Sequence, residues 1–339
     1  MSGLSCNRFA TVLIHIALGI ILIGACVTHF FGEQGEIHLR ADKAQSVITK
    51  YSTLSLFLWD FQVVYADDGQ TPVDYITELR ILDRGKSKIG IDEGTVRMNK
   101  PLRYSGWRFC QSDYNSDQLG VVLTYNYDPW GIGITYTGYA LLFVAMIAFF
   151  FQKHTRFRAL LRQQHKWLMA GLGVAMLILA FVMTKAVTPE PPLQPVLQTP
   201  LLGIHVSVIM MAYTLFAAVM VNGILGLCVR KWRNRLMLLS QILLYPGVFC
   251  LTAGIFIGAV WANLSWGRYW GWDPKETWAL ITMIVYAALL HWQWMVGKWN
   301  ISNQKSRLLY HIFSVVAFAF VLFTYFGVSY LLGGLHSYV

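Results

Sequence analysis

The chain has 339 residues, of which 56% are hydrophobic, 15% aromatic and only 13% charged. The charged share is about half that of an ordinary soluble domain, which excludes a typical water-soluble enzyme. The formal net charge of +10 raises nucleic acid as a partner, but the basic residues stand beside long apolar runs, so the excess reads as a membrane-topology signal and no nucleic-acid partner is expected.

In chain order, seven runs approach the roughly 20 apolar residues that a helix needs to cross about 30 Å of hydrocarbon. They cover 9–31, 132–151, 167–187, 201–229, 236–261, 276–296 and 308–332. The first is too long for a signal-peptide core and lacks a small-residue cleavage site, so it reads as a retained anchor. With Met1 in the cytoplasm, the pieces on that side hold Arg8, then Lys153, Arg156, Arg158, Arg162 and Lys166, then Arg230, Lys231, Arg233 and Arg235, then Lys298, Lys305 and Arg307. All 17 acids fall on the opposite side or at its membrane edge. This positive-inside asymmetry predicts a cytoplasmic N-terminus and an extracytoplasmic C-terminus.

The polar stretch 32–131 reads as β structure. Val121, Leu123, Tyr125 and Tyr127 alternate, a second run covers 75–82, and turns are signalled at Asp68-Gly69, Arg84-Gly85 and Asn115-Ser116-Asp117; together they predict a small sandwich or meander. The segment 188–200 carries Pro189, Pro191, Pro192, Pro195 and Pro200 and is expected to be extended and non-helical. The expected fold is therefore an all-α polytopic membrane protein of about seven transmembrane helices with a small extracytoplasmic β-rich domain. Its parts are 1–31, a transmembrane helix; 32–131, the β-rich domain; 132–187, two transmembrane helices joined by a basic cytoplasmic loop; and 188–339, four transmembrane helices with a tryptophan-rich external segment at 261–278.

The five cysteines, Cys6, Cys26, Cys110, Cys228 and Cys250, form neither C-x-x-C nor C-x-x-C-H, so a thioredoxin-like reductant and a c-type cytochrome are both excluded. Cys110 is alone in the external domain and has no disulfide partner there, and a metal-thiolate site is not expected. The histidines carry more. His154 and His165 fall in the basic loop and read as solvated; His311, near the start of the last span, reads as interfacial. His15 lies about six residues inside one span and His291 five or six from the end of another, which sets both at a depth of roughly 8 to 9 Å from the same face. Two imidazoles at one depth on different helices can face each other across a flat metal complex such as haem. They can equally be polar residues hydrogen-bonded within a bundle. On the outer side stand His205, at the start of a span, and His336, just after the last one, with His29 and His38; a helix cap or a headgroup position accounts for any of these taken singly.

Between the fifth and sixth spans the sequence runs Trp261-Ala262-Asn263-Leu264-Ser265-Trp266-Gly267-Arg268-Tyr269-Trp270-Gly271-Trp272-Asp273-Pro274-Lys275-Glu276-Thr277-Trp278. An interfacial aromatic belt explains the indoles. A platform for a planar ring also explains the interleaved glycines, and it gives Arg268 or Lys275 a role in pairing with ring carboxylates.

Residues 266–276 resemble the WWD motif in the W-G-x-Y/F-W-x-W-D-P-K-E form of the CcsA subunit of System II cytochrome c synthases. The flanks agree: Thr199 to Ser207 is similar to the segment of that family's first external histidine, His291 falls where its C-terminal membrane histidine stands, and Gly334 to Tyr338 is similar to the segment of the second external histidine. Leu13-Ile14-His15 with Gly19, Gly24 and Phe31-Gly32 resembles the histidine-bearing span of the other subunit, CcsB or ResB, and Tyr104 to Tyr114 with Asp128-Pro129-Trp130-Gly131 resembles the end of its external domain. The likeness runs over nearly the whole chain, as a compact fusion. Fused members usually carry further N-terminal spans and a larger external domain, so the resemblance also implies either an additional CcsB-like subunit or a minimal form.

The resemblance implies a haem lyase of the bacterial cytoplasmic (inner) membrane. Haem b would be held by iron between His15 and His291, then between His205 and His336, with Trp261, Trp266, Gly267, Arg268, Tyr269, Trp270, Trp272, Asp273, Lys275 and Glu276 around the ring. His205, His336 and Asp273 would form the catalytic group. The acceptor would be apocytochrome c with its C-x-x-C-H, served by a thiol-reducing system. A haem carrier or exporter that makes no thioether, and a b-type respiratory subunit, are the competing functions.

Overall fold

The computed structural model describes residues 9–41, 45–48, 53–83, 91–153, 155–162, 195–295 and 304–332. The predicted span at 167–187, the turn at Arg84-Gly85, and His154, His165 and His336 lie outside the described residues.

Helix α1 (Phe9–Phe31) leads into eight strands: β1 (Glu33–Arg40), β2 (Gln45–Ile48), β3 (Thr53–Tyr65), β4 (Pro72–Asp83), β5 (Ile91–Arg97), β6 (Leu102–Tyr104), β7 (Trp107–Tyr114) and β8 (Gly120–Tyr127). They form two four-stranded antiparallel sheets, ordered β1-β8-β7-β6 and β2-β3-β4-β5. The inward members of each alternation, among them Leu39, Leu56, Ile81, Phe109, Val121 and Leu123, share one core, so the domain is a sandwich. The Asp68-Gly69 turn is present: the Asp68 carboxylate accepts from the backbone N–H of Gln70 and of Thr71, 2.9 Å each, while Gly69 takes φ +67°.

The sandwich also sets the first helix pair. β1 and β8 pair from Glu33 opposite Tyr127 to Arg40 opposite Gly120, so the end of α1 and the start of α2 (Gly131–Phe151) leave the sheet side by side. They pack closely because glycine stands at the crossing: a Cβ on Gly24 would lie within 3 Å of the Thr135 backbone, and one on Gly138 would press on Ile21.

The remaining helices are α3 (Arg156–Arg162), α4 (Pro200–Cys228), α5 (Arg233–Ser265), α6 (Pro274–Leu290), α7 (Trp292–Met295) and α8 (Gln304–Leu322), the last continuing as π-helical turns over Phe323–Leu332. Among the described residues, five helical runs, those containing α1, α2, α4, α5 and α8, are long and apolar enough to cross a membrane. Helix α6, with 17 residues, covers about 25 Å and packs by one face on the bundle, where Tyr286 stacks on Phe216 of α4 with centroids 3.6 Å apart. Large apolar side chains such as Leu22, Ile23, Val144 and Val316 point outward, which suits lipid and not water. The protein is a polytopic membrane protein carrying a small β domain.

Three expectations change. Helix α6 ends at Leu290, and His291 is its C-cap residue rather than an interior one. Pro195–Leu197 forms a single 3-10 turn where an extended chain was expected; Pro200 then takes the first turn of α4, with the Thr199 hydroxyl accepting from the Leu202 N–H at 3.2 Å. His311, expected at the interface, is fully buried by protein. Gly226 leaves room for its ring, since a Cβ there would lie 2.4 Å from it, and the His311 Nε2 is 2.9 Å from the Arg233 carbonyl oxygen.

Candidate functional site

The α1/α2 pair joins the rest of the bundle through aromatic contacts, Tyr139 with Phe256 at 4.6 Å and Phe143 with Phe249 at 6.2 Å between centroids. Between the pair and helices α5 and α6 a cavity of about 560 Å³ remains, walled by apolar side chains such as Leu18, Leu142, Phe149, Val248 and Met283. This is the size of a pocket for one small organic ligand. His15 and His291 both project into it.

Each of these imidazoles is fixed in the same way. The His15 Nδ1 lies 2.7 Å from the Thr11 carbonyl oxygen, and the His291 Nδ1 lies 2.7 Å from the Ala287 carbonyl oxygen. A carbonyl only accepts, so both Nδ1 atoms donate, and in the neutral ring Nε2 is then the nitrogen whose lone pair can bind a metal. The ring centroids are 6.3 Å apart. Two imidazole nitrogens bound to one metal at about 2.0 Å each place their rings at a separation of this order. The two rings stand nearly perpendicular, at 84°. The pair is a donor set that would suit one haem iron, with His15 and His291 as the residues that would hold it.

A second cavity, of about 340 Å³, lies at the β-domain end of the bundle. Its walls include His205 of α4, Gly258 of α5, Tyr269, Trp270, Lys275 and Glu276, and Thr324 and Tyr325 of the π-helical segment. The His205 Nδ1 lies 2.8 Å from the Gly254 carbonyl oxygen, which again assigns the lone pair to Nε2. The ring rests over Gly258, where a Cβ would lie 2.5 Å from it.

The tryptophan-rich loop divides its side chains among different surroundings, unlike a belt of outward indoles. Trp261 is buried at the end of α5, edge-on to Trp266. Trp266, Gly267 and Arg268 line a separate cleft of about 280 Å³ against the β domain, with Gln34, Glu36, Gln111 and Asn126. Trp270 faces the His205 cavity and stands edge-to-face with Trp272, which is 72% exposed. The two candidate carboxylate partners are thus separated: Lys275 faces the cavity and Arg268 the cleft. Asp273, expected in the catalytic group, is the N-cap of α6. Its Oδ1 accepts from the Lys275 N–H at 2.9 Å, and Glu276 closes the capping box by accepting from the N–H of Asp273 at 3.3 Å and of Gly271 at 2.8 Å. Both acids hold the loop's shape.

The β domain and α1 grip this loop. Arg108, buried on β7, donates to the Asn263 Oδ1 at 2.8 Å and to the Gly267 carbonyl at 3.4 Å. Asn99 accepts from the Ser265 hydroxyl, and Tyr136 of α2 accepts from the Asn263 amide. Thr28 of α1 donates to the Asp128 carboxylate at 2.6 Å and hydrogen-bonds the Tyr269 hydroxyl, which also accepts from Thr135 at 3.4 Å. Gly267 has φ +75°, and a Cβ there would press on the Cys110 sulfur, so only glycine lets the loop lie this close to the sheet.

Fold and site together define an integral membrane protein with a paired-histidine cavity within its helices and a second, tryptophan-walled cavity where the β domain meets them. Residues 134–336 match the family described as Cytochrome C assembly protein, and residues 5–127 match the ResB-like family. The chain belongs to the cytochrome c assembly family, here joined to a ResB-like portion. It is 38% identical over 157 residues to the protein NrfI of Wolinella succinogenes, covering 43% of this chain and 17% of that protein. It is 38% identical over 169 residues to the cytochrome c biogenesis protein CcsA of Chlamydomonas reinhardtii, 47% of this chain and 46% of the relative. Against CcsA of a Synechococcus species it is 34% identical over 207 residues, 50% of this chain and 64% of the relative. The chain thus spans less than two thirds of the length of each.

His15 lies in the ResB-like portion and His291 in the assembly portion, so the membrane cavity takes one imidazole from each. Sequence reasoning missed the Arg108, Asn263 and Thr28 contacts and the presence of Arg156 in the wall of the membrane cavity. No local pattern marks them, because the partners are far apart in sequence.

Proposed function

We propose that the protein is a cytochrome c haem lyase, taking haem b as substrate and attaching it to the two cysteines of an apocytochrome c C-x-x-C-H segment. The observation that carries this reading is the His15–His291 pair, two imidazoles that line one apolar cavity with their ring centroids 6.3 Å apart. The positive-inside distribution of charge supports cytoplasmic basic loops, with the β domain and the tryptophan-rich loop outside. Haem enters the membrane cavity and passes to the outer one, where His205 and His336 serve as iron ligands, Trp270 and Tyr269 face the ring, and Lys275 is positioned to pair with a carboxylate. Asp273 and Glu276 act as positioning residues through the capping box.

The chemistry needs little from the protein beyond orientation. Each cysteine S–H adds across a haem vinyl group: a C–S bond forms at the carbon next to the ring, the thiol proton ends on the terminal carbon, and no electrons leave. The acceptor's cysteines must be thiols, which is the task of an external thiol-reducing system. An additional CcsB-like subunit is a further proposed partner.

Co-expression with an apocytochrome in cells lacking their own maturation system tests this. The expected product keeps haem through a denaturing gel, and His205→Ala or His336→Ala abolishes it while haem remains bound to the membrane protein. A haem-loaded membrane protein that yields no thioether would assign the chain to haem delivery alone.

A further inference from the structure

The paired histidines account for iron but not for the orientation of an asymmetric ring. A haem is apolar over most of its area and carries two carboxylates on one edge. Among the described residues lining the membrane cavity, Arg156 is the only one, apart from the two histidines, with a cationic side chain, and no acid is among them. We infer that Arg156 is the carboxylate anchor of this cavity and sets the propionate edge of the haem toward the basic end of the bundle; this rests on the proposed haem reading of His15 and His291.

Arg156 opens α3, in the basic segment that follows α2. Its Nη2 donates to the Gln241 Oε1 at 3.0 Å. Gln241 is itself buried, and the same oxygen accepts from the Gln293 amide at 3.5 Å, two residues beyond His291. The guanidinium is therefore held from α5, by a glutamine whose acceptor oxygen is shared with the segment that follows His291. It has five N–H donors in a rigid fork, and Gln241 engages one nitrogen, so the fork retains donors for a planar, bidentate pairing with a carboxylate. Its neighbour Arg158 has a different task, donating to the carbonyls of Phe150 and Phe151 at the end of α2.

The test compares two ligands that differ only in the carboxylates. Purified full-length protein in detergent is titrated with protohaem and with its dimethyl ester, following the low-spin absorption band of two-histidine ligation. The wild type should bind the diacid about 10-fold or more tightly than the ester, as a charge-assisted pair implies. Arg156→Gln should lose that preference through weaker diacid binding, with ester affinity unchanged, which also shows that the cavity remains folded. Arg156→Lys should keep part of it, having charge without the fork. Equal loss for both ligands, or none for either, would overturn the inference. A low-spin band that survives the combined His15→Ala and His291→Ala substitutions would instead overturn the membrane site on which the inference rests.

Discussion

Gly258 governs the outer cavity as much as the histidine beside it. A Cβ at this position would lie 2.5 Å from one atom of the His205 ring and 2.6 Å from its Nδ1, which are distances that force the imidazole to move. Gly258→Ala is therefore expected to reduce holocytochrome yield about as severely as His205→Ala, at normal membrane level, whereas Gly203→Ala, with nothing within 4 Å of the new methyl group, should leave yield unchanged in the same co-expression assay. Cys110 shows what burial does to a thiol in the β domain: its pKa is pushed up to about 11, by desolvation first, with Arg108 opposing. At pH 8 the folded protein should react with iodoacetamide at Cys110 about 100-fold more slowly than the unfolded chain, as a two-unit rise implies. The sign also fixes a stability effect, since a raised pKa favours the folded state fully below the unfolded value near 9 and the advantage is lost as pH rises towards 11. At this scale the sequence was most legible where a polar residue sits in an apolar run. His15 and His291 stand out for that reason, whereas Arg156 sits in a run of other basic residues and nothing local separates it from Arg158.

Among elements, the hydrophobic runs located α1, α2, α4 and α5 to within a few residues, because a continuous apolar stretch between charged ends has one good solution in lipid. The break at His291 was not legible in hydropathy, since apolar residues continue past it through Trp292 and Trp294. Strand alternation identified β8, and turn residues marked Asp68-Gly69 and Asn115-Ser116-Asp117, but which sheet each strand joins is a long-range property that periodicity does not carry. The grip of β7 on the tryptophan-rich loop is another, because Arg108 and Asn263 are 155 positions apart. That bond is buried, and burial pushes the Arg108 pKa down, so removing Arg108 takes from the Asn263 Oδ1 a buried charged donor, while removing Asn263 takes from Arg108 its shortest acceptor. A double-mutant cycle of Arg108→Met and Asn263→Leu, read by thermal unfolding of the purified protein, should give a coupling of about 1.5 to 3 kcal/mol. Additivity within about 0.5 kcal/mol would show that the two side chains do not hold the loop and the domain together.

For the whole molecule, neither the ResB-like nor the assembly portion makes the membrane cavity alone. Each contributes one imidazole, and the same two portions meet again at Tyr269, through Thr28, and at Asn263, through Arg108. A fused chain keeps both junctions in one polypeptide and so fixes their relative position without an association equilibrium. The sequence carried this organisation only through its resemblance to two subunits. That the two histidines meet at one spacing came from the fold. Whether the His15–His291 pair holds iron is read directly in the absorption spectrum of protein purified from haem-replete membranes. Wild type should show a low-spin, two-histidine haem spectrum. His15→Ala and His291→Ala should each diminish it, the double variant should be little worse than the worse single one, and added imidazole should restore it in the single variants by filling the vacated position. A full low-spin haem complement in the double variant would contradict the account.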